Sequence, residues 1–265
     1  MKFSVLTLFP AIVDSFFTTS IMAKAVERGV LSWKTINIRD WAFDKHHKCD
    51  DAPYGGGAGM LMLPEPLGAC LRDQGVQPKT VEDAKRNDGS RRVVYLSPAG
   101  KTFTQAKARE LAACEELVLV CGRYEGIDQR IIDSYVDEEI SIGDYVLSSG
   151  EVAALVVVDA VYRLVEGVIN GESLSEESFS SHWLEYPQYT RPEIYDTVRV
   201  PEVLLSGHHE RIRRWRLEKG IEKTLKNRPD LVERALSSGG LSSEEREILQ
   251  TLQGPYNGSK GEEDE

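Results

Sequence analysis

The chain has 265 residues, of which 41% are hydrophobic, and a formal net charge of −11 from 43 acidic and 32 basic residues. This length accommodates one large domain or a medium domain and a small one. The acidic balance, taken alone, argues against a nucleic-acid partner. No apolar run reaches the length of a membrane span, so we expect no association with a membrane.

The first residues and the cysteines bear on the compartment. Residues 2–9 are strand-like and follow no basic stretch with a cleavage site, so we expect no secretory signal. Cys49, Cys70, Cys114 and Cys121 show neither a C-x-x-C pair nor zinc spacing. They predict reduced thiols in a cytoplasmic protein, with Cys114 and Cys121 in its core.

The first part of the chain alternates predicted strands and helices. The strands are predicted at residues 2–9, 33–38, 93–96, 117–121 and 139–142. The helices are predicted at residues 16–28, 64–72, 104–113, 129–135 and 151–165. Asp14 or Ser15 lies near the cap of the first helix, and Gly29 is its stop. This order predicts an α/β domain over residues 1–166, with a parallel sheet covered on both faces.

The remainder of the chain has a different pattern. Residues 167–182 are polar and without clear periodicity, which predicts an interdomain linker. Residues 183–253 predict a small helical domain, in which Ser242 and Glu245 fit a capping box. Its helices are predicted at residues 208–219, 223–226, 229–236 and 242–253. Residues 254–265 predict a disordered acidic tail.

Three of the predicted strands end in turns of glycine and small or hydroxyl residues. These turns cover residues 97–100, 121–128 and 143–150. Ligands in open α/β sheets bind beyond the carboxyl ends of the strands, where small residues let a ligand approach the backbone. The turns therefore predict one shared binding site. The alternative is three ordinary strand-to-helix turns, which use the same residues and which composition alone favours.

Two glycine motifs resemble parts of nucleotide-binding sites. Residues 54–59 fail as a dinucleotide fingerprint because Met60 occupies the last glycine position. They form either a flexible loop, which composition favours, or a loop that approaches a bound base or cofactor. Gly100-Lys101-Thr102 resembles the end of a phosphate-binding loop, but Tyr95 stands where its first glycine is required. We therefore expect no nucleoside triphosphate site.

One segment is basic within the acidic chain. Residues 207–228 contain eight Lys or Arg and three Glu. Within them, residues 211–216 interleave basic side chains with Ile212 and Trp215, which predicts an amphipathic helix, a row of phosphate contacts, or both. Metal binding by His209 is weakly supported, because no matching ligand pair at metal spacing lies nearby. His209 is predicted to contact a phosphate or base, with a helix cap as the alternative.

Three isolated charges stand out for their setting. Glu125 lies inside the second turn, and Glu177 lies in the linker, where it could fold over a cleft. Surface carboxylates usually do no more than solvate, which is the alternative for both. Arg163 near the end of the apolar helix is either a surface charge or a cation aimed at an anionic group.

Taken together, the amino-acid sequences of six segments are specific enough to indicate a protein family. They are YGGGAGM at 54–60, YLSP at 95–98, CGRYEGID at 121–128, SIGDYVL at 141–147, YTRP at 189–192, and LLSG at 204–207 with IRRWR at 212–216. From about residue 1 to about residue 236 the chain closely resembles the bacterial tRNA (guanine-N1)-methyltransferases, which methylate the guanosine immediately 3′ of the anticodon. The resemblance implies the SPOUT class, a knotted α/β fold with a deep trefoil knot. It also implies a homodimer with each active site at the subunit interface.

The resemblance further implies S-adenosylmethionine as the methyl donor and tRNA as the partner. The implied donor-binding residues are Tyr95, Leu96, Ser97, Pro98, Gly122, Tyr124, Glu125, Ser141, Ile142, Gly143, Asp144, Tyr145, Val146, Leu147 and Gly150. The implied RNA-binding residues are Gly59, His209, Arg213, Arg214 and Arg216. An adenine needs apolar walls and backbone hydrogen bonds, which residues 142–147 can supply. Mg²⁺ is also implied, but no ligand spacing in the chain marks a site for it.

Methylation of guanine N1 requires that this nitrogen lose its proton. A carboxylate within hydrogen-bond reach can take the proton, and a guanidinium can stabilise the charge that develops on O6. The resemblance implies Arg163 as that guanidinium. Glu177 stands where the family has aspartate, so one additional methylene changes the reach of the base, and Glu176 is the alternative. A non-catalytic RNA-binding protein is the competing hypothesis; the retained arginine, linker carboxylate and three turns favour the enzyme.

Two milder departures from the family adjoin the third turn. Ser149 stands where the family usually has glycine, and Ala153 where it usually has proline.

Overall fold

The computed structural model describes residues 1–79, 90–169 and 177–253. It divides into two compact units, Met1–Asn170 and Gly171–Glu265. Two of the sequence predictions fall on residues outside these ranges. They are residues 170–176 of the predicted linker, with Glu176, and the predicted acidic tail at 254–265.

A parallel sheet forms the centre of the first unit, as the sequence predicts. Its strands and those of a small antiparallel pair are, in chain order, β1 (Lys2–Thr7), β2 (Ser32–Asn37), β3 (Asp50–Asp51), β4 (Leu61–Met62), β5 (Arg91–Thr102), β6 (Glu116–Cys121) and β7 (Glu138–Ser141). Five strands pair in the order β2-β1-β6-β5-β7, and every pairing is parallel. β3 and β4 form the separate antiparallel pair. All carboxyl ends of the five-stranded sheet therefore lie along one edge.

Helices cover both faces of this sheet. They are α1 (Pro10–Phe17), α2 (Ser20–Glu27), α3 (Pro64–Asp73), α4 (Gln105–Ala112), α5 (Gln129–Tyr135) and α6 (Gly150–Tyr162), with a short 3₁₀ helix at Ile38–Trp41. Leu117 and Leu119 pack in the core on the side of α1, α4 and α6, whereas Val118 and Val120 pack on the side of α3 and α5. This alternation explains the continuous apolar runs, because each strand is buried on both faces.

Three predicted elements of the first unit differ from the structure. The single helix predicted at 16–28 is wrong: α1 begins at Pro10 and ends at Phe17, so Asp14 and Ser15 lie inside it and do not cap it. The hydroxyls of Thr18 and Thr19 donate to carbonyls of the preceding turn and separate α1 from α2. The turn predicted at 97–100 is part of β5, which continues after a register shift between Leu96 and Lys101. The last helix ends at Tyr162, so Arg163 is its C-cap.

The second unit is mainly helical, as predicted. Its elements are β8 (Ile194–Tyr195), β9 (Val198–Arg199), α7 (Glu202–Leu205), α8 (His209–Asn227), α9 (Pro229–Ser238) and α10 (Ser243–Gln253). The two helices predicted at 208–219 and 223–226 are one continuous helix. Gly220 lies inside this helix and packs closely against the Leu184 carbonyl. The core of the unit joins Trp183 to apolar residues of α8, α9 and α10.

The capping box predicted before the last helix is confirmed. Ser242 Oγ accepts from the Glu245 N–H at 3.2 Å, and the Glu245 carboxylate accepts from the Ser242 N–H at 2.7 Å. All four cysteines are buried free thiols, including Cys114 and Cys121. Among the described residues, no helix is both long and apolar enough to traverse a bilayer. The trefoil knot stays a prediction.

Candidate functional site

A cavity of about 420 Å³ lies at the carboxyl ends of β5, β6 and β7. Fourteen of the fifteen residues predicted to bind the donor line it; the exception is Asp144, which is exposed beside it. Seven further residues line it: Ala99, Arg123, Gly126, Ser148 and Ser149 lie within the three segments predicted to converge, and Ile140 and Ala153 lie beside them. The departures from the family at Ser149 and Ala153 therefore both contact this cavity.

Strand register brings the three segments together. Leu96 on β5 is paired with Cys121 on β6 and with Ile140 on β7. The segments that follow these three residues therefore begin side by side at the same edge of the sheet. The register shift after Leu96 places residues 97–99 in the cavity lining while the strand continues. The predicted convergence is therefore produced by sheet pairing.

The closest approach of two turns depends on glycines without side chains. The Gly150 N–H donates to the Gly122 carbonyl at 2.9 Å. A Cβ at Gly150 would lie 2.8 Å from the Gly122 nitrogen, and a Cβ at Gly122 would lie 2.8 Å from the Tyr95 hydroxyl. Any larger residue at either position forces the backbone or the Tyr95 ring to move.

Tyr95 forms part of the polar lining. Its ring is buried, and this burial, with the charge of Glu139 adding to it, raises the pKa of Tyr95 to about 12. The phenol therefore stays neutral at physiological pH. It can act there as a hydrogen-bonding group but not as a general base.

The third turn is held in shape although its apolar side chains are not packed. Ser141 Oγ donates to the Gly143 carbonyl at 3.0 Å, and the Tyr145 N–H donates to the same carbonyl at 2.9 Å. Val146 is nonetheless 85% exposed, and Tyr145 and Leu147 are exposed beside it. A preformed loop with exposed apolar side chains is suited to contact with a ligand or a second chain.

The glycine-rich segment at 54–59 lies against the second turn. The Glu125 N–H donates to the Met60 carbonyl at 3.0 Å, and the Met62 N–H donates to the Gly126 carbonyl at 3.0 Å. Gly59 has a φ of +91°, and a Cβ there would lie 2.5 Å from Glu125 Cγ. The loop is thus anchored beside the cavity at its last glycine, which fits the second of the two interpretations left open by the sequence.

Residues 100–102, which resemble the end of a phosphate-binding loop, belong to a strand. Lys101 and Thr102 belong to β5 and pair with Ile140 and Ser141 of β7. The following helix has Thr104 as its N-cap, with the Thr104 hydroxyl accepting from the Lys107 N–H. These residues therefore do not form a loop that could cradle phosphates.

One buried carboxylate near the cavity was missed by sequence reasoning. Glu151 is 1% exposed, and its Oε1 accepts from the Thr7 hydroxyl at 2.5 Å. Thr7 Oγ1 in turn accepts from the Phe9 N–H, so the first turn of α6 is tied to the end of β1. Burial, and then the charge of Glu151, raises the pKa of the Cys121 thiol well above its usual value. A carboxylate in the first turn of a mainly apolar helix was the signal that could have identified it.

The two residues predicted to perform the chemistry belong to different units. Arg163 is the half-buried C-cap of α6 in the first unit. Glu177 opens a turn in the second unit, where the Ser180 N–H donates to its carbonyl at 3.1 Å. The turn is fixed within that unit because the Glu185 N–H donates to Ser178 Oγ, and the Arg228 guanidinium lies 5.9 Å from the centroid of the Phe179 ring.

The basic helix α8 carries its charges in ion pairs with nearby glutamates. Arg213 contacts Glu210 and, at 2.7 Å, Glu244 of α10. Arg214 contacts Glu247 at 2.9 Å. These pairs are exposed, so each contributes little to the stability of the fold and exchanges readily with other anions.

The apolar positions of α8 confirm that the helix is amphipathic. Ile212 and Trp215 are partly buried, and the Trp215 ring lies 6.3 Å from that of Tyr189. His209 is exposed at the first helical residue without serving as a side-chain cap. Contact of the helix with phosphate stays a prediction.

The described part of the chain contains no group of three or more His, Cys, Asp or Glu placed to hold a metal ion. The Mg²⁺ implied by the resemblance therefore has no assigned position.

Comparison with known proteins gives a consistent result. The family model described as tRNA (Guanine-1)-methyltransferase TrmD matches residues 1–234. The tRNA (guanine-N(1)-)-methyltransferase of Treponema denticola is 60% identical over 253 residues, which cover 96% of this chain and 99% of that protein. The protein of the same name from Treponema pallidum is 56% identical over 252 residues, with 95% and 96% covered. That of Borreliella burgdorferi is 56% identical over 233 residues, with 87% and 92% covered.

Proposed function

Because this chain belongs to the tRNA (guanine-1)-methyltransferase family, we propose that it methylates the guanosine immediately 3′ of the anticodon and binds the methyl donor in the cavity at the ends of β5, β6 and β7. Methylation of guanine N1 in tRNA, with S-adenosylmethionine as donor, follows from family membership. The single observation that carries the placement of the donor is the convergence on one cavity of the three segments that follow Leu96, Cys121 and Ile140.

The cavity has the properties that a nucleoside-bearing donor requires. Its volume of about 420 Å³ falls within the range of small-molecule sites, and backbone groups of Gly122 and Gly150 lie at its wall without side chains in front of them. Ile142 and Leu147 supply apolar lining. When bound, S-adenosylmethionine supplies an electrophilic methyl group on its sulfonium.

The chemistry restricts which guanosines can react. N1 lies on the edge of guanine that pairs with cytosine, so the target must be unpaired or extruded from a stem. A guanosine in the anticodon loop meets this condition. The remaining requirement is a group that removes the N1 proton as the methyl group arrives.

We assign proton removal to Glu177. Its turn is held by the Glu185 N–H, which donates to Ser178 Oγ, and by the Arg228–Phe179 contact. Phe179 also has a φ of +68°, a left-handed conformation that bulky residues rarely adopt and that often marks functional turns. The surrounding contacts thus hold the turn that carries Glu177 and compensate for the cost of this backbone.

Arg163 provides an argument for a dimeric site. The cavity contacts α6 at Gly150 and Ala153, whereas Arg163 follows the last residue of the helix, about 15 Å further along the axis. This distance exceeds the length of an arginine side chain. Val152 and Val156 are 51% and 43% exposed and share one face of α6 with Asp159 and Arg163.

A second copy of the chain can supply the arginine that the first copy cannot bring to its own cavity. If two α6 helices pair antiparallel through the exposed face, the partner subunit's Arg163 comes toward the Gly150 end of this helix. The pairing also covers Val152 and Val156, whose exposure is unfavourable in a monomer. We therefore propose a homodimer in which each cavity receives Arg163 from the other subunit, where the guanidinium stabilises charge on guanine O6.

The choice of target is tested with two substrates. The purified protein, S-adenosylmethionine and a tRNA with guanosine 3′ of the anticodon should give 1-methylguanosine at that position. The same tRNA with adenosine at that position should give no product. Methylation of both tRNAs, or of neither, would refute the proposed target.

The role of Glu177 is tested by removing its charge at constant shape. Glu177→Gln should lower turnover by about a hundredfold or more and leave donor affinity unchanged. Glu177→Asp keeps a carboxylate and is the matched control that should retain activity. Wild-type turnover of the glutamine variant would assign the proton to another group.

The dimeric site is tested by mixing two inactive variants. Gly122→Val blocks the cavity, and Arg163→Gln removes the guanidinium. If the cavity and Arg163 come from different subunits, reassorted dimers regain one working site, and an equal mixture recovers about a quarter of parent activity. A mixture that stays inactive despite subunit exchange would place Arg163 and the cavity in one chain.

A further inference from the structure

The second unit contains a cavity that no part of the methyl-transfer reaction uses. Its volume is about 430 Å³, and it lies between residues 181–186 and the first three turns of α8. The residues that line it are Ser181, Trp183, Leu184, Glu185, Tyr186, His209, Ile212, Arg213, Arg216, Leu217 and Gly220. All of them belong to the second unit.

Contacts at one end of this cavity hold its walls in place. The Leu184 N–H donates to Thr224 Oγ1 at 2.8 Å, and Lys223 Nζ donates to the Glu185 carbonyl at 3.0 Å. A Cβ at Gly220 would lie 2.9 Å from the Leu184 carbonyl oxygen, so glycine is what permits this close approach. The cavity is therefore formed by fixed backbone and is present before any ligand binds.

The lining combines a flat apolar surface with cations. Ile212, Leu217 and the ring of Tyr186 contribute apolar surface, and apolar atoms make up most of the lining. The Arg216 guanidinium lies 4.7 Å from the centroid of the Tyr186 ring, which fixes the orientation of that ring. His209 and Arg213 add basic groups of α8.

The lining includes one carboxylate, which has a partner within the protein. Glu185 Oε1 accepts from Gln188 Nε2 at 2.6 Å. The remaining lining is therefore apolar or positively charged, and such a lining is unsuitable for a metal ion or a cationic ligand. It suits a planar ring attached to an anion.

We propose that this cavity binds one unpaired nucleotide of the tRNA other than the methylated guanosine, a proposal that rests on the proposed function. The base lies against the Tyr186 ring and the side chains of Ile212 and Leu217, and its phosphate contacts Arg213 and His209. Single-stranded loops are recognised in this way, by stacking on aromatic rings next to basic side chains. The exposed ion pairs of Arg213 with Glu210 and Glu244 give way to phosphate at small cost.

The stacking contact is tested by comparing Tyr186→Leu with Tyr186→Phe. The leucine variant should bind tRNA about tenfold more weakly, whereas the phenylalanine variant keeps the ring and should bind like the parent. Turnover at saturating tRNA and affinity for S-adenosylmethionine should be unchanged in both. Ile212→Trp fills the cavity without removing the ring, so it should also weaken tRNA binding by about tenfold.

The dependence of affinity on salt separates stacking from phosphate contact. Tyr186→Leu should leave the slope of log affinity against log salt unchanged. Arg213→Gln should reduce that slope by about 0.7, the contribution of one single-strand phosphate. Arg246→Gln, which removes an exposed cation of α10 outside the cavity, is the matched control and should change neither affinity nor slope.

Parent affinity for tRNA in both Tyr186→Leu and Ile212→Trp would overturn the proposal. Failure of the proposed function gives a different result, because methyl transfer then fails in the parent while tRNA titrations remain measurable.

Discussion

Gly150 is the position where a single methyl group should disturb the donor cavity most. It is the first residue of α6, and its N–H donates to the Gly122 carbonyl across the cavity wall. In Gly150→Ala, the new Cβ would lie 2.8 Å from the Gly122 nitrogen and 2.9 Å from Cys121 Cα. Both are backbone atoms of the second turn, so no side-chain rotation can relieve the contact.

The size of the effect follows from these distances. Ordinary contacts between nonbonded heavy atoms begin near 3.5 Å, so α6 and the second turn must separate by about 0.7 Å. Overpacking of this kind costs about 1–3 kcal/mol of unfolding free energy, and the higher helix propensity of alanine offsets part of it. A displacement approaching 1 Å at a binding site lowers reaction rates by up to about a hundredfold.

Donor titration, thermal unfolding and single-turnover methylation test this prediction together. The melting temperature should fall by a few degrees, and donor affinity and methyl transfer should fall by about tenfold or more. Gly68→Ala in α3 is the matched control, because its Cβ would meet ends of flexible side chains at 3.2 and 3.3 Å. Parent-like donor binding by Gly150→Ala would refute the argument that backbone contact shapes the cavity.

Three further predictions concern stability and reactivity. Burial alone would raise the pKa of Glu116, but hydrogen bonds from Lys2, Ser4 and Arg91 outweigh it and hold the pKa below its usual value. The resulting stability is present above the ordinary glutamate pKa and is lost as pH falls through the lowered one. Glu116→Gln should therefore cost about 1–3 kcal/mol at neutral pH and nothing in acid, as measured by urea unfolding against pH, whereas exposed Glu115→Gln should change neither. Burial raises the pKa of Cys70 to about 12 and that of Cys121 well above its usual value, so a thiol reagent at pH 8 should label none of the four cysteines until the protein unfolds; rapid labelling of the native protein would contradict this. Ser242→Ala removes half of the capping box and should lower the stability of the second unit by about 1 kcal/mol, with Ser243→Ala as the neutral control in calorimetry.

The sheet could be predicted because its strands are buried on both faces. Runs such as Leu117 to Val120 have no polar residues, and that pattern by itself indicates a strand inside a parallel sheet. Local turn chemistry was less informative. Ser97 and Pro98 are typical of turns, yet pairing with β7 resumes at Lys101 and keeps the segment in β5.

Glycine had two meanings that the sequence alone does not separate. Gly220 is typical of a helix break, but it lies inside α8. A glycine is needed there because the Leu184 carbonyl leaves no space for a side chain. Packing between distant segments decides such cases, and the sequence does not contain that information in local form.

The candidate site could be predicted in its outline. Three turns at strand ends were sufficient to indicate a ligand cavity, but their residues alone do not identify the ligand; family resemblance did that. The buried pair of Glu151 and Thr7 was missed because it joins residues 144 positions apart. Only the fold brings such partners together.

The ion pairs along α8 have a consequence for selectivity. A phosphate that reaches Arg213 or Arg214 does not meet a vacant charge; it must evict Glu210, Glu244 or Glu247. If α8 contacts tRNA as proposed, a phosphate that displaces one of these carboxylates replaces one exposed ion pair with another, so an unrelated polyanion gains little free energy from the exchange. An RNA that makes further contacts to the protein gains more, so we expect the ion pairs to favour that RNA over other polyanions.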